Sequence, residues 1–182
     1  MDDDDAGRNF CDLRMMLLDS DDFAISLFKS VASSLGIHNV ETYQSTKAVV
    51  TKIRMSGAPD LLFVRLKRVD GDALEIFRLI RSRDGFPFPY VPIVAVMEHP
   101  TVKSVTAARD AGADEFLGCP FSPQSMAQRI NAILQDRRGF VDASGYFGPD
   151  RRRGAIARWL GDERRSDLTE LIDPVTEEVY MG

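Results

Sequence analysis

Hydrophobic positions along this chain follow two alternating patterns. Short unbroken apolar runs, at Met15-Met16-Leu17-Leu18, Leu61-Leu62-Phe63-Val64 and Ile93 to Met97, are separated by longer stretches in which apolar residues recur every three or four positions. An unbroken run predicts a strand buried on both faces of a parallel sheet, and the longer spacing predicts a helix with one apolar side. The pattern predicts β1 at 15–18, then α1 with Ala24, Leu27, Phe28, Val31 and Leu35 on one face and Gly36 as its stop. It continues with β2 at 39–43 and with α2, capped by Ser45, carrying Ala48, Val49, Ile53 and Met55 and ending at Gly57. Next come β3 at 61–64, α3 opened by Asp72 with Leu74, Phe77 and Ile80 inward, and β4 at 93–97. A helix α4 from Thr101 to the stop at Gly112 carries Val102, Val105, Ala108 and Ala111. Strand β5 at 115–118 then leads through Ser122-Pro123 into α5, with Met126, Ile130, Ile133 and Leu134, so that five β-α repeats end near residue 137.

Strict alternation with short connections predicts an α/β fold, a doubly wound five-stranded parallel sheet of order 2-1-3-4-5 with helices on both faces. That order sets the carboxyl ends of β1 and β3 side by side, so Asp19, Ser20 and Arg65 converge at one crevice. The Met97-Glu98-His99 segment after β4 closes its other flank. Open α/β sheets keep their chemistry outside the carboxyl ends of the strands, and here that place holds a guanidinium.

Composition narrows the class. With 182 residues, 44% hydrophobic and 28% charged, the chain suits one globular domain plus an extension. The boundaries read as an acidic arm over 1–12, a domain over 13–137 and a tail over 138–182. A net charge of -5 argues against coating nucleic acid or anionic membrane over the whole surface. The start, MDDDDAGR, is acidic where a secretory signal would be basic and then apolar, and no apolar run spans a bilayer, so a cytoplasmic location is expected. Cys11 and Cys119 fall at opposite ends of the predicted sheet, too far apart for a disulfide, and with His38 and His99 they form no metal-ligand spacing.

The MMLLDSDD strand end, the SGAPDLLFV approach to β3, the AARDAGADEFL run and the CPFSP turn into α5 together resemble the receiver domains of two-component response regulators, from about Met15 to Arg137. The resemblance implies a flavodoxin-like fold, a divalent metal held by acidic residues after β1, a phosphate-accepting aspartate ending β3, a threonine or serine after β4 and a lysine after β5. In this chain those positions hold Asp19 and Ser20, Arg65, Met97 and Cys119. The family's aromatic switch position is Phe116, and Pro120 stands where the family has a cis proline. An arginine has no oxygen nucleophile and is permanently cationic, so the resemblance implies a degenerate pocket needing neither metal nor cofactor. The Arg65 guanidinium is expected to pair with Asp19, and with Asp21 or Glu98.

Other residues suggest weaker roles. Asp70 and Asp72 read as turn and cap residues, His99 as an exposed loop imidazole, and Cys119 as packing rather than as a thiol activated by arginine. The α4-β5-α5 face of many relatives pairs with partners, and here Lys103, Arg109, Asp110, Asp114, Glu115 and Arg129 offer both signs of charge, a pattern that can be self-complementary in a homodimer. In the tail, YFGPDRRR reads as a turn into a short basic amphipathic helix with Arg151, Arg152, Arg153, Arg158 and Trp159, and Leu168, Leu171 and Ile172 as a further helical turn. A segment this small is expected to dock on the domain or to await a partner. The sequence therefore reads as a pseudo-receiver that works by binding proteins, not as an enzyme. Nucleic-acid binding through the arginines, and a receiver still phosphorylated at Asp19 or Asp21, are the alternatives.

Overall fold

The computed structural model describes residues 10–66, 74–82, 85–135, 137–143, 145–150, 168–176 and 179–181. Five parallel strands, β1 (Met15–Leu18), β2 (Val40–Tyr43), β3 (Leu61–Leu66), β4 (Ile93–Glu98) and β5 (Glu115–Cys119), form one sheet in the order 2-1-3-4-5. Strand β3 runs through Arg65 instead of stopping at Val64, because Arg65 pairs with Val96 and Leu66 with Met97. The helices are α1 (Asp22–Ser34), α2 (Thr46–Ser56), α3 (Glu75–Ile80), α4 (Val102–Asp110) and α5 (Pro123–Gln135). Asp72, expected to open α3, lies outside the described residues.

The unbroken apolar strands follow from cover on both faces. Met16, Leu62, Val64, Ile93, Ala95 and Met97 pack against Ile53, Phe77 and Ala108 of α2, α3 and α4. Met15, Leu17, Leu61, Phe63, Val94 and Val96 point the other way, against Phe28 of α1 and Met126 and Ile130 of α5. The alternation of side chains along each strand divides one run into two cores. Local signals fix the helix ends: the Asp21 carboxylate accepts the Phe23 and Ala24 N–H groups, Ser45 caps α2, and Thr101 and Ser104 form a reciprocal capping box on α4. Gly57 ends α2 at a φ of +84°, where a side chain would be strained.

Two expectations about the ends of the chain are corrected. The acidic arm does not extend through residue 12, because a 3₁₀ turn spans Phe10–Asp12 and the Phe10 ring is buried with Met15, Leu17 and Phe28. The tail is not helical around Leu168, Leu171 and Ile172. Strands β6 (Phe140–Ala143), β7 (Tyr146–Pro149), β8 (Leu168–Ile172) and β9 (Val179–Met181) build a second, antiparallel sheet of order 7-6-8-9. Register explains the change, since Phe140 pairs with Ile172 and Val141 with Leu171, so the ladder takes up backbone groups that a lone helical turn would leave to water. The basic helix expected around Arg151, Arg152, Arg153, Arg158 and Trp159 lies outside the described residues.

The second sheet rests on the first domain through aromatic and guanidinium contacts. Phe140 is fully buried, with ring centroids 5.0 Å from Tyr90 and 5.6 Å from Phe147. The Arg81 guanidinium carbon sits 5.0 Å from the Phe140 ring centroid.

Candidate functional site

Parallel register brings the ends of β1, β3, β4 and β5 to one crevice. Asp19 follows β1 directly, with its N–H donating to the Tyr43 carbonyl at 3.0 Å and its Oδ1 accepting the Asp21 N–H at 3.0 Å. Its side chain is 2% exposed. Arg65 reaches into the same space: Nε lies 3.4 Å from Asp19 Oδ2, Nη2 donates to Glu98 Oε1, and Nη1 approaches Cys119 Sγ at 3.8 Å. The Nε–Asp19 contact is an ion pair without hydrogen-bond geometry, so the strongest directed contact of the guanidinium is to Glu98.

Burial works against the Arg65 charge, but the Glu98 hydrogen bond and the Asp19 carboxylate outweigh it, and the pKa of Arg65 is raised. Burial pushes the Cys119 thiol up, against the opposing pull of Arg65. The thiol is therefore not activated by its cationic neighbour. Of the two further carboxylates considered for Arg65, Glu98 reaches it, whereas Asp21 caps α1.

The remaining predicted residues fall in different settings. Ser20 is exposed, and Met97 is 2% exposed with its side chain in the core beneath the crevice. Phe116 is half-buried against the α4 side of the sheet, and the Cys119–Pro120 peptide bond is cis. His99 is exposed at a φ of +49°. Asp70 and Asp72 lie outside the described residues.

The charged α4-β5-α5 face needs a correction. Lys103 and Asp110 are exposed, Arg109 pairs with its neighbour Asp110 at 3.4 Å, and Arg129 is partly exposed. Asp114 and Glu115 are not surface charges, being 8% and 5% exposed. Asp114 accepts the Arg81 Nη2 and the Ile93 N–H, both at 2.7 Å, while Glu115 lies 3.4 Å from Arg129 and 3.5 Å from Arg138. Burial pushes the Asp114 carboxyl up while Arg81 pulls it down. Arg81 also donates to the carbonyls of Gly112, Pro89 and Val91, so that with the Asp114 bond four of its five N–H donors have partners.

Sequence reasoning missed Arg81. A signal was present, because Arg81, the residue that ends α3, follows Phe77 by four positions and so continues the line of its apolar face, where a charge must find buried partners.

A family model described as "Response regulator receiver domain" matches residues 15–131. The "Response regulator MprA" of Mycolicibacterium vanbaalenii is 30% identical over 172 residues, covering 93% of this chain and 64% of its own length. The protein of that name from Mycobacterium leprae is 33% identical over 126 residues, covering 68% of this chain and 45% of the relative. The chain thus spans about half to two thirds of these curated relatives. Among solved structures, the receiver domain of the sensor histidine kinase PA1611 from Pseudomonas aeruginosa, with a magnesium ion in its active-site cleft, aligns at a TM-score of 0.56 and 18% identity, over 68% of this chain and 98% of that one. The signal receiver domain of a histidine kinase from Syntrophus aciditrophicus aligns at 0.55 and 16%, over 68% and 90%.

A divalent metal, which the resemblance would imply, does not fit the residues here. Such an ion wants several oxygen ligands, whereas Asp19 is engaged by a guanidinium and Ser20 offers no carboxylate. Among the described residues no group of three or more His, Cys, Asp or Glu side chains could hold a metal. Among the same residues no helix is long and apolar enough to cross a membrane.

Proposed function

This chain belongs to the family of response regulator receiver domains, and from that premise we propose that it works in two-component signalling without accepting phosphate, by binding a protein partner. The observation that supports this is the Arg65 guanidinium at the tip of β3, held between Asp19 and Glu98. A phosphate acceptor must present a nucleophilic oxygen, and a guanidinium has none. Beside it, the buried thioether of Met97 cannot donate a hydrogen bond to a phosphoryl oxygen, and Cys119 supplies no ammonium. The Arg65 charge stands in for the positive charge a metal would bring and holds the crevice in one arrangement. Partner binding falls to the exposed Lys103 and Asp110, the partly exposed Arg109 and Arg129 of α4 and α5, and the C-terminal extension.

Intact-mass measurement after incubation with acetyl phosphate and magnesium tests this. The expected product is the unmodified chain. Gain of one phosphoryl group that hydroxylamine removes would overturn the proposal and return Asp19 or Asp21 as an acceptor.

A further inference from the structure

At the end of the sheet opposite the crevice, where β3 and β4 begin, the structure holds a cleft of about 620 Å³. Ala58 and Pro59 lead into β3 along one wall, and the proline-rich loop from Phe86 to Pro92 forms another. Ile133, Leu134 and Arg137 close it from the end of α5, and Pro174 from the turn between β8 and β9. Proline rings in the lining, Pro59, Pro87, Pro89, Pro92 and Pro174, limit the backbone freedom of its walls. Its size, and its mixture of proline and aromatic surface with polar groups, suit a small molecule.

Two charged side chains line it. Asp60 is exposed and accepts the Arg14 N–H on Oδ2, which places it at the rim. Arg137 is more enclosed, and its hydrogen bonds go to neutral oxygens: Nη2 to the Tyr90 carbonyl at 2.5 Å and Nη1 to the Pro174 carbonyl at 3.4 Å. Among the described residues no carboxylate lies within ion-pair distance of it. Asp114 is engaged by Arg81, and Asp173 accepts the Val175 and Thr176 N–H groups in its own turn. The cleft therefore combines proline and aromatic side chains with one cation whose hydrogen bonds, among the described residues, go to neutral oxygens.

We propose that this cleft binds a small amphipathic carboxylate, its apolar or aromatic body against Phe88, Tyr90, Leu134 and the prolines, and its anionic head on Arg137. Burial lowers the pKa of Arg137, with Asp114 and Asp173 opposing at longer range, and an incoming anion would reverse that cost. Because Pro174 belongs to the second sheet and the other walls to the first domain, an occupant touches both. This site is independent of the crevice chemistry.

The test compares 4-phenylbutyrate with 4-phenylbutanol and 4-phenylbutylamine on the full chain, by titration calorimetry and amide chemical shifts. The carboxylate is expected to bind about tenfold or more tightly than the alcohol, as one charge-assisted hydrogen bond allows, with the amine weakest. Amide shifts should concentrate at Tyr90, Val91 and Leu134. Arg137→Gln should bring the acid down to the level of the alcohol, and Leu134→Trp should remove both while far-ultraviolet circular dichroism stays unchanged. Equal affinity for acid and alcohol, shifts centred elsewhere, or no binding of any of the three up to their solubility limits would each overturn it. Should Arg137→Gln fail to fold, the comparison of acid and alcohol on the unaltered chain decides by itself.

Discussion

Arg65 touches Asp19, Glu98 and Cys119 from a single position, but these contacts differ in what they cost to lose. The Asp19 side chain is almost wholly buried, so Arg65→Met takes a cation from beside a buried carboxylate, whereas Glu98 is about half exposed and water can replace its partner. Arg65→Met is therefore expected to destabilise the fold by about 3 kcal/mol, and Glu98→Gln by less than about 1 kcal/mol, both read from urea unfolding. Equal losses, or none for Arg65→Met, would show that Asp19 does not depend on the guanidinium. The convergence of these residues was legible in the sequence because strand order alone puts the tips of β1, β3 and β4 together. The burial of Asp114 and Glu115 was not, because it depends on distant residues. Arg81 lies 33 positions before Asp114, and Arg138 lies 23 positions after Glu115.

At the level of elements, strand β6 carries the junction between the two sheets. Phe140 fills the space between Tyr90, Phe147 and the Arg81 guanidinium. Phe140→Ala removes the ring and leaves a cavity beside Arg81, whose hydrogen bonds to Gly112, Pro89, Val91 and Asp114 hold it in place. A loss of about 3–5 kcal/mol is expected, measured as a drop in the urea midpoint. A loss below about 1 kcal/mol would mean that the second sheet rests only loosely on the first. Helices α1, α2 and α4 were legible because each joins a side-chain cap to an apolar face and a glycine stop, whereas the short α3 has no side-chain cap. The C-terminal strands are only three to five residues long. Leu168, Leu171 and Ile172, at three- and four-residue steps, fit a helix as well as a strand, and only their pairing with β6 decides between the two.

For the molecule as a whole, the two sheets share buried contacts instead of lying at the ends of a linker. The five-repeat domain was readable since right-handed crossovers leave few ways to lay out five parallel strands. The extension was not, for its order comes from residues it meets on that domain, among them Tyr90, Arg81 and Glu115. One cooperative unfolding transition is expected for the full chain, and a chain ending at Arg137 should unfold at lower urea, since it exposes the surface that Phe140 covers. Two resolved transitions, or an unchanged midpoint, would show that the sheets are independent. The manner in which Arg65 balances Asp19 and Glu98 has a further result. A bound ion comes and goes with the composition of the medium, but a side chain is tethered by covalent bonds and guanidinium stays ionised across the physiological range. Neither chelation nor dialysis can withdraw that charge, so the mouth of the sheet keeps the same electrostatic character in a magnesium-starved cell as in a replete one.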